Sequence, residues 1–154
     1  RYGTLYRQCS GWEDCLMGTV IQGHVGIGSS VSGEALVALD NFSARYDLDR
    51  IKGIFSRPSH KLHGESYVGK VLVLNAAKGG VATAWMLREM ASRDMAPLAL
   101  LLNYANPIIA QGAAFAEFPL VDRFETDITC AIQTGDQVHV EPAIGAVTID
   151  RYAA

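Results

Sequence analysis

Lys70-Val71-Leu72-Val73-Leu74-Asn75-Ala76-Ala77-Lys78-Gly79-Gly80-Val81-Ala82-Thr83-Ala84-Trp85-Met86-Leu87-Arg88-Glu89-Met90 passes from an apolar run through a glycine-bearing loop into a helical pattern. The unbroken Val71 to Leu74 stretch suits a buried strand, and Val81 opens the helix. Amides at a helix N-terminus lack intrahelical partners and carry the positive end of the dipole, so with Lys78 beside them they make an anion site. The same pattern also serves as a plain strand-to-helix connector, where glycine meets a steric need. Val81, Ala82, Trp85, Met86 and Met90 recur at helical spacing, which predicts an apolar face with Trp85 in the core rather than on a stacking platform. Arg88, Glu89, Arg93 and Asp94 place the charges at the far end, and Thr83 lies within the first turn.

Downstream, Met95-Ala96-Pro97 ends the helix, and Leu98 to Leu102 is an unalternating run expected of a strand covered on both faces. Asn106-Pro107 reads as N-cap and first helical residue of a helix reaching Phe115. Phe118 to Val121 is a short strand. Strand, helix, strand, helix, strand in this order implies parallel pairing through right-handed crossovers. The pattern then changes to Ile128–Ile132, Gln137–Glu141 and Gly145–Asp150, with Thr134-Gly135-Asp136 as a turn. The last two alternate as a hairpin with one wet face, on which His139 points outward.

Upstream, Gly18 to Gly28 is strand-like with a bulge near Gly23, and Gly33 to Leu39 forms a second strand after the Ser29, Ser30 and Ser32 turn. Asp40 to Ser66 is the most polar part, interrupted by Gly53-Ile54-Phe55. So long a connection is either a functional loop or an unrecognised element. Residues 1–16 lack a clear period and read as a turn or docking tail.

A chain of 154 residues, 49% hydrophobic and 19% charged, fits a single globular domain over 1–154. A net charge of −3 gives no footprint for nucleic acid or an anionic membrane. With no apolar run of about 18 residues and no basic-then-apolar leader, a cytoplasmic location is expected. Cys9, Cys15 and Cys130 contain no C-x-x-C pair and read as small core hydrophobes, too few for an iron–sulfur cluster of their own. His60 and His63 lack a third ligand, so a polar pair that orders the loop or meets a partner is favoured over a metal site.

Taken in order, Gly33-Glu34-Ala35-Leu36-Val37, His60 to Gly64, Gly69 to Leu74, Lys78-Gly79 opening a helix, Ala96-Pro97 before an apolar strand, and Asn106-Pro107-Ile108-Ile109-Ala110-Gln111-Gly112-Ala113 resemble the small swivelling domain of the aconitase X family. The resemblance spans roughly Gly18 to Ile149. It implies an α/β fold, a swivelling β/β/α domain with a parallel central sheet, flanking helices and extra antiparallel strands. It further implies a large catalytic subunit or domain that holds an iron–sulfur cluster, and dehydration of a small β-hydroxy acid. Many members resemble Gly-Arg-Gly followed by serines at the central loop, the first serine standing where a proton-abstracting alkoxide is expected. Here Lys78 replaces the arginine and Gly80 that serine, leaving Thr83 as the sole hydroxyl of the loop and first turn.

The resemblance thus implies that Lys78, Gly79, Gly80 and Val81 bind the substrate carboxylate, with Asn41, Ser43 and Arg45 facing the same cleft. The proton acceptor is then the partner or, less favoured, Thr83. A compact lysine charge suits a small zwitterion better than a phosphate, which favours cis-3-hydroxy-L-proline and its product Δ1-pyrroline-2-carboxylate over mevalonate phosphate or another hydroxy acid. In that reaction a base takes the Cα proton and iron acts as Lewis acid on the departing hydroxyl. A reading of another class is a non-catalytic swivelling module that binds an anion or docks a partner.

Overall fold

The computed structural model describes residues 19–41, 47–77 and 81–150; for residues 81–84 it describes the backbone alone. The docking-tail reading of residues 1–16 lies outside these. In chain order the strands are β1 (Thr19–Gln22), β2 (Val31–Val37), β3 (Leu48–Asp49), β4 (Ile54–Phe55), β5 (Val71–Ala76), β6 (Ala99–Tyr104), β7 (Leu120–Val121), β8 (Gln137–Glu141) and β9 (Ala146–Asp150). The helices are α1 (Val81–Ser92), α2 (Pro107–Ala116) and α3 (Ile128–Ala131).

Seven strands make one sheet in the order β1-β9-β8-β2-β5-β6-β7. The run β2, β5, β6, β7 is parallel, with Leu36 opposite Leu72 and Leu72 opposite Leu100. β8, β9 and β1 complete it in antiparallel fashion. The two outer edges are also joined. Ile27 and Leu120 exchange N–H···O bonds of 2.9 Å in both directions, and His24 N–H donates to Asp122 O at 3.0 Å. The sheet therefore closes on itself, which removes the exposed edges that invite aggregation. The approach at this seam is so close that a Cβ on Gly26 would collide with the Leu120 carbonyl oxygen.

Closure explains the unalternating runs of β5 and β6. Val71, Val73, Ala99 and Leu101 fill the interior with Ile21, Ala35, Val121, Val138, Val140, Val147 and Ile149. Leu72, Leu74, Leu100 and Leu102 point the other way, onto Leu87 and Met90 of α1 and Ile109 and Ala113 of α2. Both faces are dry, so neither needs polar residues. Ile128 and Ile132 at the ends of α3 pack into the interior cluster, so the first stretch after Asp122 is a short helix rather than a strand.

Asn106 caps α2 as the sequence predicts: its Oδ1 accepts from Ile109 N–H at 2.8 Å, with Pro107 following. Trp85 corrects the reading of α1, since it is 63% exposed. The buried stripe is Leu87 and Met90, one turn apart, and at 100° per residue Trp85 falls on the opposite side from Leu87.

The polar connection Asp40 to Ser66 is neither a bare loop nor a full element. β3 and β4 pair as a small ribbon whose Phe55 is wholly buried beside Tyr67, ring centroids 6.1 Å apart in an edge-on arrangement. Tyr67 Oη donates to Met90 Sδ at 3.5 Å, and Arg50 meets Glu89 at 3.1 Å, fastening the ribbon to α1. Cys130 departs from its reading as a core hydrophobe: it is half-buried and disulfide-bonded, its partner lying outside the described residues.

Candidate functional site at the carboxyl edge of the parallel strands

In parallel α/β sheets, open or closed, ligands gather at the carboxyl ends of the strands, where connections diverge. Here β2 leads into Asp40 and Asn41, β5 into Asn75, Ala76 and Ala77, and β6 into Asn103 to Asn106. Three asparagines at these ends are joined side chain to side chain. Asn75 Nδ2 donates to Asn41 Oδ1 at 3.1 Å, and Asn103 Nδ2 donates to Asn75 Oδ1 at 3.1 Å and to Asp127 Oδ1 at 2.9 Å. Asn106 Nδ2 reaches Ala77 O at 3.3 Å, tying the start of the central loop to the cap of α2.

Two expected binding segments thus begin side by side. Asn41, where the first opens, is bonded to Asn75, two residues before the second leaves Ala77. Val81 is the first residue of α1 and Thr83 lies in its first turn. Ser43, Arg45, Lys78, Gly79 and Gly80 lie outside the described residues.

Beside Asn41 opens a cavity of about 220 Å³ lined by Asp40, Asn41, Asp47, Arg57, Ser59 and His60. Asp47, buried, accepts from Arg57 Nη1 at 3.0 Å. His60 is also buried, not on an exposed loop as its polar neighbours suggested, and stacks on Phe55 with centroids 4.7 Å apart. Leu62 N–H donates to its Nδ1 at 3.1 Å and its Nε2 lies 3.2 Å from Asn41 O, which assigns the neutral tautomer with the proton on Nε2. His60 therefore orders the loop and braces Asn41, while His63 contributes a backbone bridge to Phe55.

Asp127 caps α3 and anchors the asparagine chain. Burial would raise its carboxyl, but hydrogen bonds from Thr129 Oγ1, Asn103 Nδ2 and the Thr129 and Cys130 amides outweigh it and hold the pKa below the ordinary value. A depressed folded value means a stabilising contribution that is complete above the unfolded pKa of about 3.9 and lost as pH falls through the folded one. Asp127→Ala should therefore cost about 1–2 kcal/mol at neutral pH. Urea denaturation at a series of pH values should show the gap from the parent closing below about pH 4; a gap that widens in acid would contradict the assignment.

Sequence reading singled out Asn41 but missed Asn75, Asn103, Asp127, Asp47 and His60 as parts of this edge. A signal existed: Asn75 and Asn103 each end an apolar strand run, where a polar residue marks the turn from core to rim. Among the described residues no three His, Cys, Asp or Glu side chains group as metal ligands, and the Cys130 sulfur is already committed. The described donors do not fit an iron–sulfur cluster.

A family model of the aconitase X swivel domain matches residues 20–149. The chain belongs to the aconitase X swivel domain family. The resemblance read from the ordered motifs is borne out, as is the α/β swivelling fold. The phosphomevalonate dehydratase small subunit of Methanopyrus kandleri is 35% identical over 118 residues, 77% of this chain and 87% of the relative. That of Methanocella arvoryzae is 31% identical over 129 residues, 84% and 98% of the two chains. A crystal structure of aconitase X from Thermococcus kodakaraensis in its holo form matches with a TM-score of 0.79 at 27% identity, covering 85% of this chain and 98% of that one. Among the described residues, no helix of this swivel domain is long and apolar enough to cross a membrane.

Proposed function

We propose that this chain is the small component of an aconitase X-type dehydratase, a cytoplasmic hydro-lyase active only with a large catalytic subunit or domain. The carboxyl edge of β2, β5 and β6 forms one wall of the shared site. The observation that carries this reading is the Asn41–Asn75 bond, which starts the 42–46 and 78–80 segments from adjacent strand ends. Lys78 and the amides of Gly79, Gly80 and Val81 hold the substrate carboxylate, with Asn41, Ser43 and Arg45 across the same opening. Negative charge flows toward that carboxylate as the Cα proton leaves, so fixed donors there stabilise the transition state more than the ground state. Gly80 has no side chain to accept the proton; the acceptor belongs to the partner, with Thr83 as the weaker candidate. The iron–sulfur cluster is likewise assigned to the partner.

The substrate that the relatives' names support is mevalonate phosphate. Lys78 and Gly80 favour the second reading, cis-3-hydroxy-L-proline, because a point charge without the guanidinium fork fits a small zwitterion. The test is to copurify the chain with its large partner and assay both substrates side by side. Water loss from mevalonate phosphate is the expected outcome, and turnover of cis-3-hydroxy-L-proline alone would install the second reading. Turnover of neither would rule out both substrates and favour another hydroxy acid or the anion-binding or docking module.

A further inference from the structure

The asparagine chain has a fixed polarity. Asp127, ionised, can only accept, and Ile128 N–H can only donate. Asn103 sits between them with Nδ2 toward Asp127 at 2.9 Å and Oδ1 accepting from Ile128 N–H at 2.9 Å, so its amide has one possible orientation. Its second Nδ2 hydrogen goes to Asn75 Oδ1, which turns Asn75 Nδ2 toward Asn41 Oδ1. Flipping any one amide would set donor against donor or acceptor against acceptor, a cost each partly buried group would feel. Asn41 ends the chain with its oxygen taken, and its Nδ2 has no partner among the described residues. Asn41 also lines the cavity, and His60 braces its main-chain oxygen.

We infer that Asp127, Asn103 and Asn75 are positioning residues that lock the Asn41 amide with its nitrogen available to donate to a carboxylate oxygen at the cavity mouth. This assignment rests on the dehydratase reading for the identity of the ligand but not for the orientation of the amide. Asn75→Asp tests it with an isosteric change. An acceptor at position 75 still receives Asn103 Nδ2, but it draws Asn41 Nδ2 inward and presents Asn41 Oδ1 to the substrate.

In the copurified complex, with mevalonate phosphate and cis-3-hydroxy-L-proline as probes, Asn75→Asp should lower kcat/KM about tenfold or more, the worth of one hydrogen bond to a charged group, with KM raised and kcat lowered together. The unfolding midpoint should stay put. Asn41→Ala and the double variant separate orientation from added charge: the Asn75→Asp effect should vanish in the Asn41→Ala background, and an equal fall in kcat/KM in both backgrounds overturns the proposal. Turnover of neither probe by the parent complex would rule out these two substrates alone. The side-chain NH2 signals of Asn41 in the ¹⁵N-labelled full chain then decide. Asn103→Asp, which does not touch Asn41, should reverse Asn75 and shift those signals; signals that stay in place overturn the proposal.

Discussion

Replacing Lys78 with Ala is expected to lower turnover of the assembled dehydratase by about 10²–10³-fold, the cost of losing one donor aimed at developing negative charge. Lys78 is the only cationic residue between Asn75 and Val81. In sequence it lies between Ala77, whose carbonyl accepts from Asn106 Nδ2 at 3.3 Å, and Val81, the first residue of α1. Because the lost interaction strengthens as the proton leaves Cα, the fall should appear in kcat as well as kcat/KM. Association with the large partner should persist, measured by copurification. Lys78→Arg should recover part of the rate, since it keeps the charge and changes its shape. Near-normal turnover in Lys78→Ala would remove the residue from the carboxylate site.

Leu101→Ala is expected to have the largest effect on stability, about 3–5 kcal/mol. Leu101 is wholly buried inside the closed sheet, flanked by Val73 on β5 and Val121 on β7. A ring of paired strands cannot shrink around a missing side chain without breaking its own hydrogen bonds, so the cavity persists rather than collapsing. For a domain of this size the loss corresponds to roughly 6–20 °C in unfolding midpoint, read by thermal denaturation. The exposed Leu39→Ala, at 56% exposure, supplies the contrast: a change within about 0.5 kcal/mol. Equal effects at the two positions would contradict a packed interior.

The parallel strands and the β8–β9 hairpin were legible in sequence because their cues are local. Apolar runs at Val71 and Leu98, the Asn106-Pro107 cap and the β8–β9 alternation each lie within a few residues. Closure was not legible, because it depends on Ile27 meeting Leu120 across 92 intervening positions, and nothing near either residue announces the other. Trp85 was misplaced because α1 offers apolar residues on nearly every side; packing against β5 and β6 selects Leu87 and Met90. At the candidate site, Asn41 was found through a family pattern. Asn75, Asn103 and Asp127 were not, since their meaning comes from one another. Asp127 supplies the charge, Asn103 turns the corner and Asn75 hands the orientation on.

β1 runs antiparallel to β9 along the whole of its length. Thr19 lies opposite Ile149, so the chain enters and leaves the sheet on neighbouring strands at one corner. Along the register from β9 through β8 to β2, that corner faces the same rim as the ends of the parallel strands. A polypeptide attached before Thr19 and one attached after Asp150 would meet this domain at nearly the same point. A single-corner tether acts as a pivot, and the rim that carries the asparagine chain lies on the pivot's own side.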